Sequence, residues 1–180
     1  MRNIMVDIET LGTKGTSVIL SIGAVEFDGT SLGKTFYARV SIDSCLERGL
    51  TVDGSTIEWW MTQADDARKV FDVRGEMLAS VLIDLQNAFD WNNTLVWANG
   101  SSFDLPILEN AYAACHMRAP WKYYNARDYR TVKGMFPPDF VKSVRIEPVV
   151  AHNALEDARA QALTLQALLA NYGVPGREAA

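Results

Sequence analysis

The sequence predicts an α/β fold in which a mixed β-sheet is flanked by helices. Three strand-like runs follow one another at the N-terminus, and this succession predicts a three-strand antiparallel meander. Helical and strand-like segments alternate through the rest of the chain, which adds helices to the faces of the sheet. The 180 residues have the length of one ordinary domain, so we expect a single domain over residues 1–180 with a short C-terminal tail from about residue 173.

The strands are predicted from short apolar runs that end at turn-type residues. The first run leads directly into Asp7 and Glu9, and Asp28-Gly29 marks the turn after the second. The fourth, TLVWA, is apolar throughout and is typical of a buried strand. The predicted strands are Asn3–Ile8, Ser17–Phe27, Lys34–Val40 and Thr94–Ala98.

The helices are predicted from capping residues and from apolar residues that recur at helical spacing. In the segment 74–89 this spacing gives one apolar face, made of Met77, Leu78, Val81, Leu82 and Leu85. Asn153 is a typical N-cap for the last helix, which we expect to run to Asn171. The other predicted helices are Ile42–Gly49, Asp53–Gln63, Arg74–Phe89, Leu105–Cys115 and Arg127–Phe136.

The charge balance limits the ways in which this protein can bind other molecules. A net charge of −5 argues against binding nucleic acid through a broad basic surface. Acidic groups neutralised by metal ions remain compatible with such a partner. The segment from Arg118 to Arg145 contains seven Lys and Arg residues and two Asp residues. We interpret it as either a solvated face or a strip that guides a nucleic-acid backbone.

Composition also bears on location. The N-terminal residues lead straight into an apolar run that contains Asp7, so we expect no signal peptide. No apolar stretch approaches the ~18 residues that a membrane span needs, so we expect no membrane partner. The two cysteines, Cys45 and Cys115, are far apart in sequence and are typical of reduced thiols in a cytoplasmic protein.

Three segments carry the side chains most suited to chemistry. Asp7 and Glu9 stand two residues apart at a strand end, so both lie on one face of the strand. Asp104 falls between a buried strand and a helix, and Asp157 lies one turn inside the last helix, after His152. Buried carboxylates need a cation or dense hydrogen bonding. The sequence therefore predicts a site for Mg²⁺ or Mn²⁺, which both favour oxygen ligands.

In this order, the patterns D-x-E, D and H-x-x-x-x-D resemble the DEDD (DnaQ-like) 3′-5′ exonucleases, in the subgroup whose last motif carries histidine. The wider segments DIETLGT, IEWWMTQ, WANGSSFD and VAHNALEDA are similar to the phage and bacterial branch of that family. The resemblance extends from residue 3 to about residue 172. It implies a ribonuclease H-like fold and hydrolysis of phosphodiester bonds.

The resemblance also implies a role for each of these residues. Asp7, Glu9, Asp104 and Asp157 would bind two divalent metal ions, with Asp7 bridging them. Together with His152, the general base that activates the attacking water, these carboxylates would form the catalytic set.

The stretch that follows Glu9 is implied to bind substrate. Thr10, Leu11 and Gly12 would pack against the terminal nucleotide, with Leu11 supplying an apolar contact. The partner would be a single-stranded nucleic acid with a free 3′ end, and nucleoside 5′-monophosphates would be released. DNA is the favoured substrate, an exoribonuclease with the same site is the alternative, and a catalytically inactive nucleic-acid-binding module is the third reading.

Three further questions stay open from the sequence. Trp59 and Trp60 are able to stack on a base, but such a pair is commonly divided between core and surface. Arg130 has the chemistry to reach a phosphate. The resemblance also leaves a homodimer open, since dimers are common among similar proteins.

Overall fold

The computed structural model of the protein describes residues 2–100 and 102–172. The expected C-terminal tail from about residue 173 lies outside these residues. Five strands form one sheet in the order β3-β2-β1-β4-β5. The strands are β1 (Arg2–Thr10), β2 (Ile19–Phe27), β3 (Leu32–Arg39), β4 (Thr94–Ala98) and β5 (Ala126–Asp128). β1, β2 and β3 pair antiparallel, whereas β1 pairs with β4 and β4 with β5 in parallel, so the predicted mixed sheet and its N-terminal meander are confirmed.

The central strand β1 is longer than predicted. It continues past Ile8 through Glu9 and Thr10. Its register with β2 places Asp7 opposite Gly23 and Glu9 opposite Ser21. A register shift follows between Glu9 and Thr10, which is the kind of bulge that redirects a chain near a functional site.

Eight α-helices are described, and they cover both faces of the sheet. The last is the longest and begins after Asn153, whose side chain accepts from the amides of Leu155 and Glu156, as predicted. The helices are α1 (Ile42–Glu47), α2 (Gly54–Met61), α3 (Asp65–Arg68), α4 (Leu78–Ala88), α5 (Asp104–Ala114), α6 (Tyr129–Gly134), α7 (Pro138–Val144) and α8 (Ala154–Ala170).

Each face of the sheet has its own hydrophobic core. On one face, Ile4, Val6 and Ile8 of β1 belong to a large cluster that includes buried residues of α4 and α5. On the other face, Met5 belongs to a smaller cluster with apolar residues of α8. Because side chains alternate along a strand, Asp7 and Glu9 follow Met5 on the face covered by α8.

The predicted helix Arg74–Phe89 begins later than expected, at Leu78. Gly75 packs against the backbone of Val40, where an added Cβ would lie 2.3 Å from the carbonyl carbon. The amide of Glu76 donates to Arg39 O over 2.9 Å, and its carbonyl accepts from Ser41 N over 2.8 Å. These backbone groups are therefore occupied by the end of β3. Met77, expected on the apolar face, is 56% exposed.

The region after residue 125 also differs from prediction. The helix expected over Arg127–Phe136 is wrong in its first part, because residues 126–128 form β5 beside β4. The side chain of Asp128 caps α6 by accepting from the amides of Arg130 and Thr131. α7 was not predicted, although Pro138 at its first position is a typical helix start.

Both cysteines are free thiols, as expected: Cys45 is buried and Cys115 is half-buried. Across residues 2–100 and 102–172, no helix combines the length and the apolar character that crossing a membrane requires.

Candidate active site

Three of the predicted carboxylates meet between β1 and α8. Asp7 and Glu9 project from the face of β1 that α8 covers, and Asp157 lies in the first turn of α8. One carboxylate oxygen from each of the three lies within 4.8 Å of the other two. This spacing allows a single cation to contact all three.

Asp104 lies close to this cluster but is held differently. It is the first residue of α5, is 3% exposed, and its Oδ1 accepts the amide of Ile8 over 3.1 Å. That hydrogen bond fixes it directly beside the strand that carries Asp7 and Glu9. The structure therefore brings all four predicted carboxylates to one place, with Asp104 outside the three-residue cluster.

Burial changes the acidity of every member of the group, and for Asp7 and Glu9 the neighbouring carboxylates add to it. Burial, followed by the charges of the neighbouring carboxylates, raises the pKa of Asp7 well above its usual range and the pKa of Glu9 to about 8. Burial raises the pKa of Asp104 to about 7, against hydrogen bonds from the backbone and the charge of Arg130. Burial likewise raises the pKa of Asp157, although the nearby His152 opposes the shift. Holding all four ionised therefore requires additional positive charge.

The donor set fits a hard divalent cation. Among the described residues, no Lys or Arg forms an ion pair with any of these four carboxylates. Oδ2 of Asp157 is buried and has no hydrogen-bond partner in the described part of the chain. A buried carboxylate oxygen without a partner is costly, and a bound cation removes that cost. Asp7, Glu9 and Asp157, with Asp104 beside them, are therefore the residues that could hold a metal.

Gln161 belongs to the site and was not predicted. Its Nε2 donates to Oδ1 of Asp7 over 2.7 Å, so it fixes the orientation of that carboxylate. Gln161 follows Asp157 by four residues on α8, which puts both side chains on one face of the helix. That spacing is the sequence signal by which it could have been found.

Gly23 explains how α8 comes so close to β1. A Cβ at Gly23 would lie 2.2 Å from the carbonyl carbon of Ala154, a distance that no side chain can occupy. Gly23 is also the residue opposite Asp7 in the sheet. The missing side chain therefore lets the start of α8 contact the sheet directly beside Asp7.

His152 lies in the loop before α8, half-buried and next to Asp157. Its φ of 62° is in the left-handed region, which is uncommon for a residue other than glycine. Its ring packs edge-on against Trp59, with 4.9 Å between the ring centroids and 82° between the planes. This conformation holds the imidazole beside Asp157 and against Trp59.

A cleft of 380 Å³ opens beside Glu9. Thr10 and Gly12 line it. Leu11 does not line it: its side chain is 5% exposed and belongs to the larger core. The bulge after Glu9 explains this difference, because it turns Leu11 inward. The remaining wall consists of Ile8, Thr13, Ser55, Thr56, Trp59 and Phe103.

The tryptophan pair is divided between core and surface. Trp60 is 2% exposed, and its Nε1 donates to Thr10 O over 2.9 Å, which supports the backbone at the cleft. Trp59 is 42% exposed and lies in the cleft wall. Only Trp59 is placed to contact a bound molecule. The sequence could not distinguish the two, because their order on the helix does not show which face is buried.

Comparison with known proteins agrees with this geometry. The model of the family described as "3′-5′ exoribonuclease Rv2179c-like domain" matches residues 2–169. The chain belongs to this family. It is a 3′-5′ exonuclease, and the predicted relationship to the DnaQ-like enzymes is confirmed.

Similar proteins and solved structures also support this assignment. The chain is 24% identical over 209 residues to an exodeoxyribonuclease of Enterobacteria phage T4, across 92% of this chain and 88% of that protein. It superimposes on E. coli Exonuclease I in complex with a 5cy-dT13 oligonucleotide with a TM-score of 0.66, and on cell-death related nuclease 4 (CRN-4) with 0.64. Exonuclease I is 12% identical to this chain, and the match covers 95% of this chain and 41% of Exonuclease I. CRN-4 is 11% identical, and the match covers 94% of this chain and 64% of CRN-4. Both likenesses confirm the ribonuclease H-like fold.

Proposed function

We propose that this exonuclease removes nucleotides stepwise from the 3′ end of single-stranded DNA and releases nucleoside 5′-monophosphates. The observation that carries the proposal is the position of the acidic cluster at the edge of the cleft, with Glu9 in both. A strand end that enters the cleft would bring its last phosphodiester beside the carboxylates. The T4 relative, an exodeoxyribonuclease, supports DNA as the substrate.

Asp7, Glu9, Asp104 and Asp157 would hold two divalent ions, Mg²⁺ or Mn²⁺. When bound, such ions stabilise the charge that develops on the attacking and leaving oxygens of a phosphodiester. The carboxylates contribute rigid placement, because β1 and α5 hold Asp7 and Asp104 within regular structure. Gln161 contributes the orientation of Asp7 through its hydrogen bond.

His152 would act as the general base that takes a proton from the attacking water. Imidazole exchanges protons readily near neutral pH, which suits this role. Its place in a loop beside Asp157 and the cleft residue Trp59 supports the assignment. With His152 as the base, the protein would belong to the subgroup of DEDD exonucleases whose last motif carries histidine.

The cleft would hold the terminal nucleotide. Trp59 offers an aromatic face or edge to its base, and Thr10 and Gly12 lie beside it. A Cβ at Gly12 would lie 2.6 Å from Oγ of Ser17, so a larger residue at this position would have to displace that buried side chain. Leu11 would act from the core beneath, by holding this stretch in place.

An exoribonuclease with the same site is the second candidate. Its support is the family description and three hydroxyl-bearing residues in the cleft wall, Thr13, Ser55 and Thr56, which are able to hydrogen-bond a ribose 2′-OH. A catalytically inactive binding module is disfavoured, because all five residues of the predicted catalytic set are present and lie together.

A time course with labelled strands tests these proposals. Single-stranded DNA and RNA of the same sequence, labelled in separate samples at the 5′ end or at the 3′ end, are incubated with Mg²⁺ or Mn²⁺, with Asp157→Asn as the control for contaminating nucleases. We expect a descending ladder, mononucleotide products and faster turnover of DNA. Faster turnover of RNA favours the second candidate. Immediate release of the 5′-terminal nucleotide, or cleavage of a closed circle, would contradict both.

A further inference from the structure

A second cleft, of 720 Å³, lies beside α6 and α7. Four cationic side chains line it, and we call it the basic groove: Arg130, Lys133, Lys142 and Arg145. Arg130, Lys142 and Arg145 are exposed, so their charges face solvent. The predicted basic segment between Arg118 and Arg145 thus concentrates four of its seven cations in one place.

The positive charge of the basic groove is mostly unbalanced. Glu147 is the one carboxylate among the residues that line it, and it is bonded to Arg145 at 2.9 and 3.0 Å. Burial, then the charges of Arg145 and Arg130, lower the pKa of Lys133, which shows that these cations act on one another. A protein with a net charge of −5 has no general excess of cations to place here. Such a concentration attracts an anion.

The basic groove reaches the catalytic carboxylates through Arg130. Nη2 of Arg130 donates to Asn99 O over 2.9 Å, at the end of β4. Its guanidinium lies 3.6 Å from the position of a Cβ at Gly100, and its charge acts on Asp104. A strand that leaves the catalytic carboxylates past Asp104 would therefore meet the groove at Arg130.

The walls of the groove between the cations are apolar. Phe136, Pro138 and Val141 line it, and Phe136 packs against Phe140 with 5.8 Å between the ring centroids. Cations that follow a backbone, combined with apolar surface for bases, are the features that bind single strands without reading their sequence. A duplex keeps its bases stacked inside, so they do not contact the apolar residues of the groove.

We propose that the basic groove binds the backbone phosphates of the single strand that leads into the active site, on the 5′ side of the bond to be cut. This inference rests on the proposed function, because it assigns the groove to the same substrate. It predicts that long strands are processed better than short ones and that the advantage disappears at high salt.

The test compares Lys142→Ala/Arg145→Ala with the matched control Lys34→Ala/Arg48→Ala, which removes the same charge from exposed positions on β3 and after α1. Arg130 is left intact because it touches the catalytic region. Two substrates are used: a single strand of about 20 nucleotides, and the p-nitrophenyl ester of thymidine 5′-monophosphate, which is too short to reach the groove. We expect kcat/KM on the strand to fall roughly 3- to 10-fold, the range for losing two exposed ion pairs, with the ester unaffected.

Binding of the same strand, measured by fluorescence anisotropy in Ca²⁺ at several salt concentrations, gives a second readout. The slope of log Kd against log salt should decrease by about 1.4, or about 0.7 for each phosphate contact. Lys142→Glu, which keeps the Arg145–Glu147 pair, changes the charge of the groove by the same two units and should also weaken binding of the strand. Equal losses on strand and ester, an unchanged slope, or a larger loss for a duplex than for a single strand would overturn the proposal. If the parent protein hydrolyses neither substrate, the proposed function fails, while the binding slope still decides the role of the groove.

Discussion

The two faces of β1 are formed by alternate residues of one strand and differ in character near the end of the strand. On one face, Ile4, Val6 and Ile8 are at most 3% exposed and belong to the larger core. On the other face, Asp7 and Glu9 place two carboxylates beneath α8, beside Asp157. The first face gains free energy from burial, whereas the second loses it until a cation is present. The buried apolar face therefore stabilises the strand, and this stability allows the opposite face to hold carboxylates that repel one another.

The largest effect is expected from changing one residue on each face. Asp7→Asn should lower the rate by about 10³-fold or more, because it weakens several kcal/mol of charge stabilisation. Its free energy of unfolding without metal should be unchanged or higher, since a buried charge is removed. Ile4→Ala should lower the free energy of unfolding by about 2–5 kcal/mol and keep kcat at low temperature. Urea denaturation measures the free energy of unfolding of both variants, and a rate assay measures their activity. A stability loss in Asp7→Asn equal to that in Ile4→Ala would show that Asp7 is structural.

The next effect separates proton transfer from metal binding on the face of β1 that carries Asp7 and Glu9. His152→Ala should lower the rate by about 10²- to 10⁴-fold but keep the increase in Tm that Mg²⁺ causes. Asp157→Ala should lose both the rate and much of that increase. His152→Asn should behave like His152→Ala, because an amide does not accept the proton. Near-parental rates for His152→Ala across pH 6–9 would make the base assignment wrong.

A pH dependence of stability should follow from Glu9. Its pKa rises from an ordinary 4.5 to about 8 in the folded protein. The protonated form stabilises the fold at low pH, and this contribution is lost as pH rises from about 4.5 to about 8. In EDTA, the free energy of unfolding should therefore decrease over this range by several kcal/mol, and Mg²⁺ should restore it at pH 8. Glu9→Gln is the control; a profile as steep as that of the parent would assign the dependence to other groups.

The smallest effect is expected where the face of β1 that carries Asp7 and Glu9 meets α8. Gly23→Ala places a Cβ against the backbone of Ala154, so the start of α8 must move, at a cost of about 1–3 kcal/mol. The Mg²⁺-dependent increase in Tm should shrink, because Asp157 moves with the helix. Gly29→Ala is the matched control, since nothing lies within 4 Å of its added Cβ. If the two variants behaved alike, the close approach at Gly23 would have no role in the site.

The sequence predicted those parts of the fold that have strong local signals. β4 has the predicted bounds, and α8 starts after the predicted cap at Asn153. The strand β5 has only three residues and exists because it pairs with β4, so no local pattern announces it. The start of α4 was misplaced for a similar reason, since the backbone of Glu76 is engaged by β3 rather than by the helix.

The candidate site also divides into residues that the sequence predicted and contacts that it did not. Acidic residues at predicted element ends allowed Asp7, Glu9, Asp104 and Asp157 to be selected, and the structure places them together, while their catalytic roles stay predictions. The contribution of Gln161 and the inward turn of Leu11 depend on helix placement and on a bulge. Such features arise from the way elements contact one another, which periodicity along one segment does not report. The possible homodimer also stays a prediction.

The hydrogen bond between Gln161 and Asp7 joins residues 154 positions apart in the chain. Asp157 reaches Asp7 and Glu9 across almost the same separation. A chain synthesised from its N-terminus has Asp7, Glu9 and Asp104 long before α8 emerges from the ribosome. Until that helix docks against β1 and β2, the fourth carboxylate and the residue that orients Asp7 are both missing. A helix that is made after the segments carrying the other three carboxylates thus completes the site, and a chain without this helix would lack part of the acidic cluster.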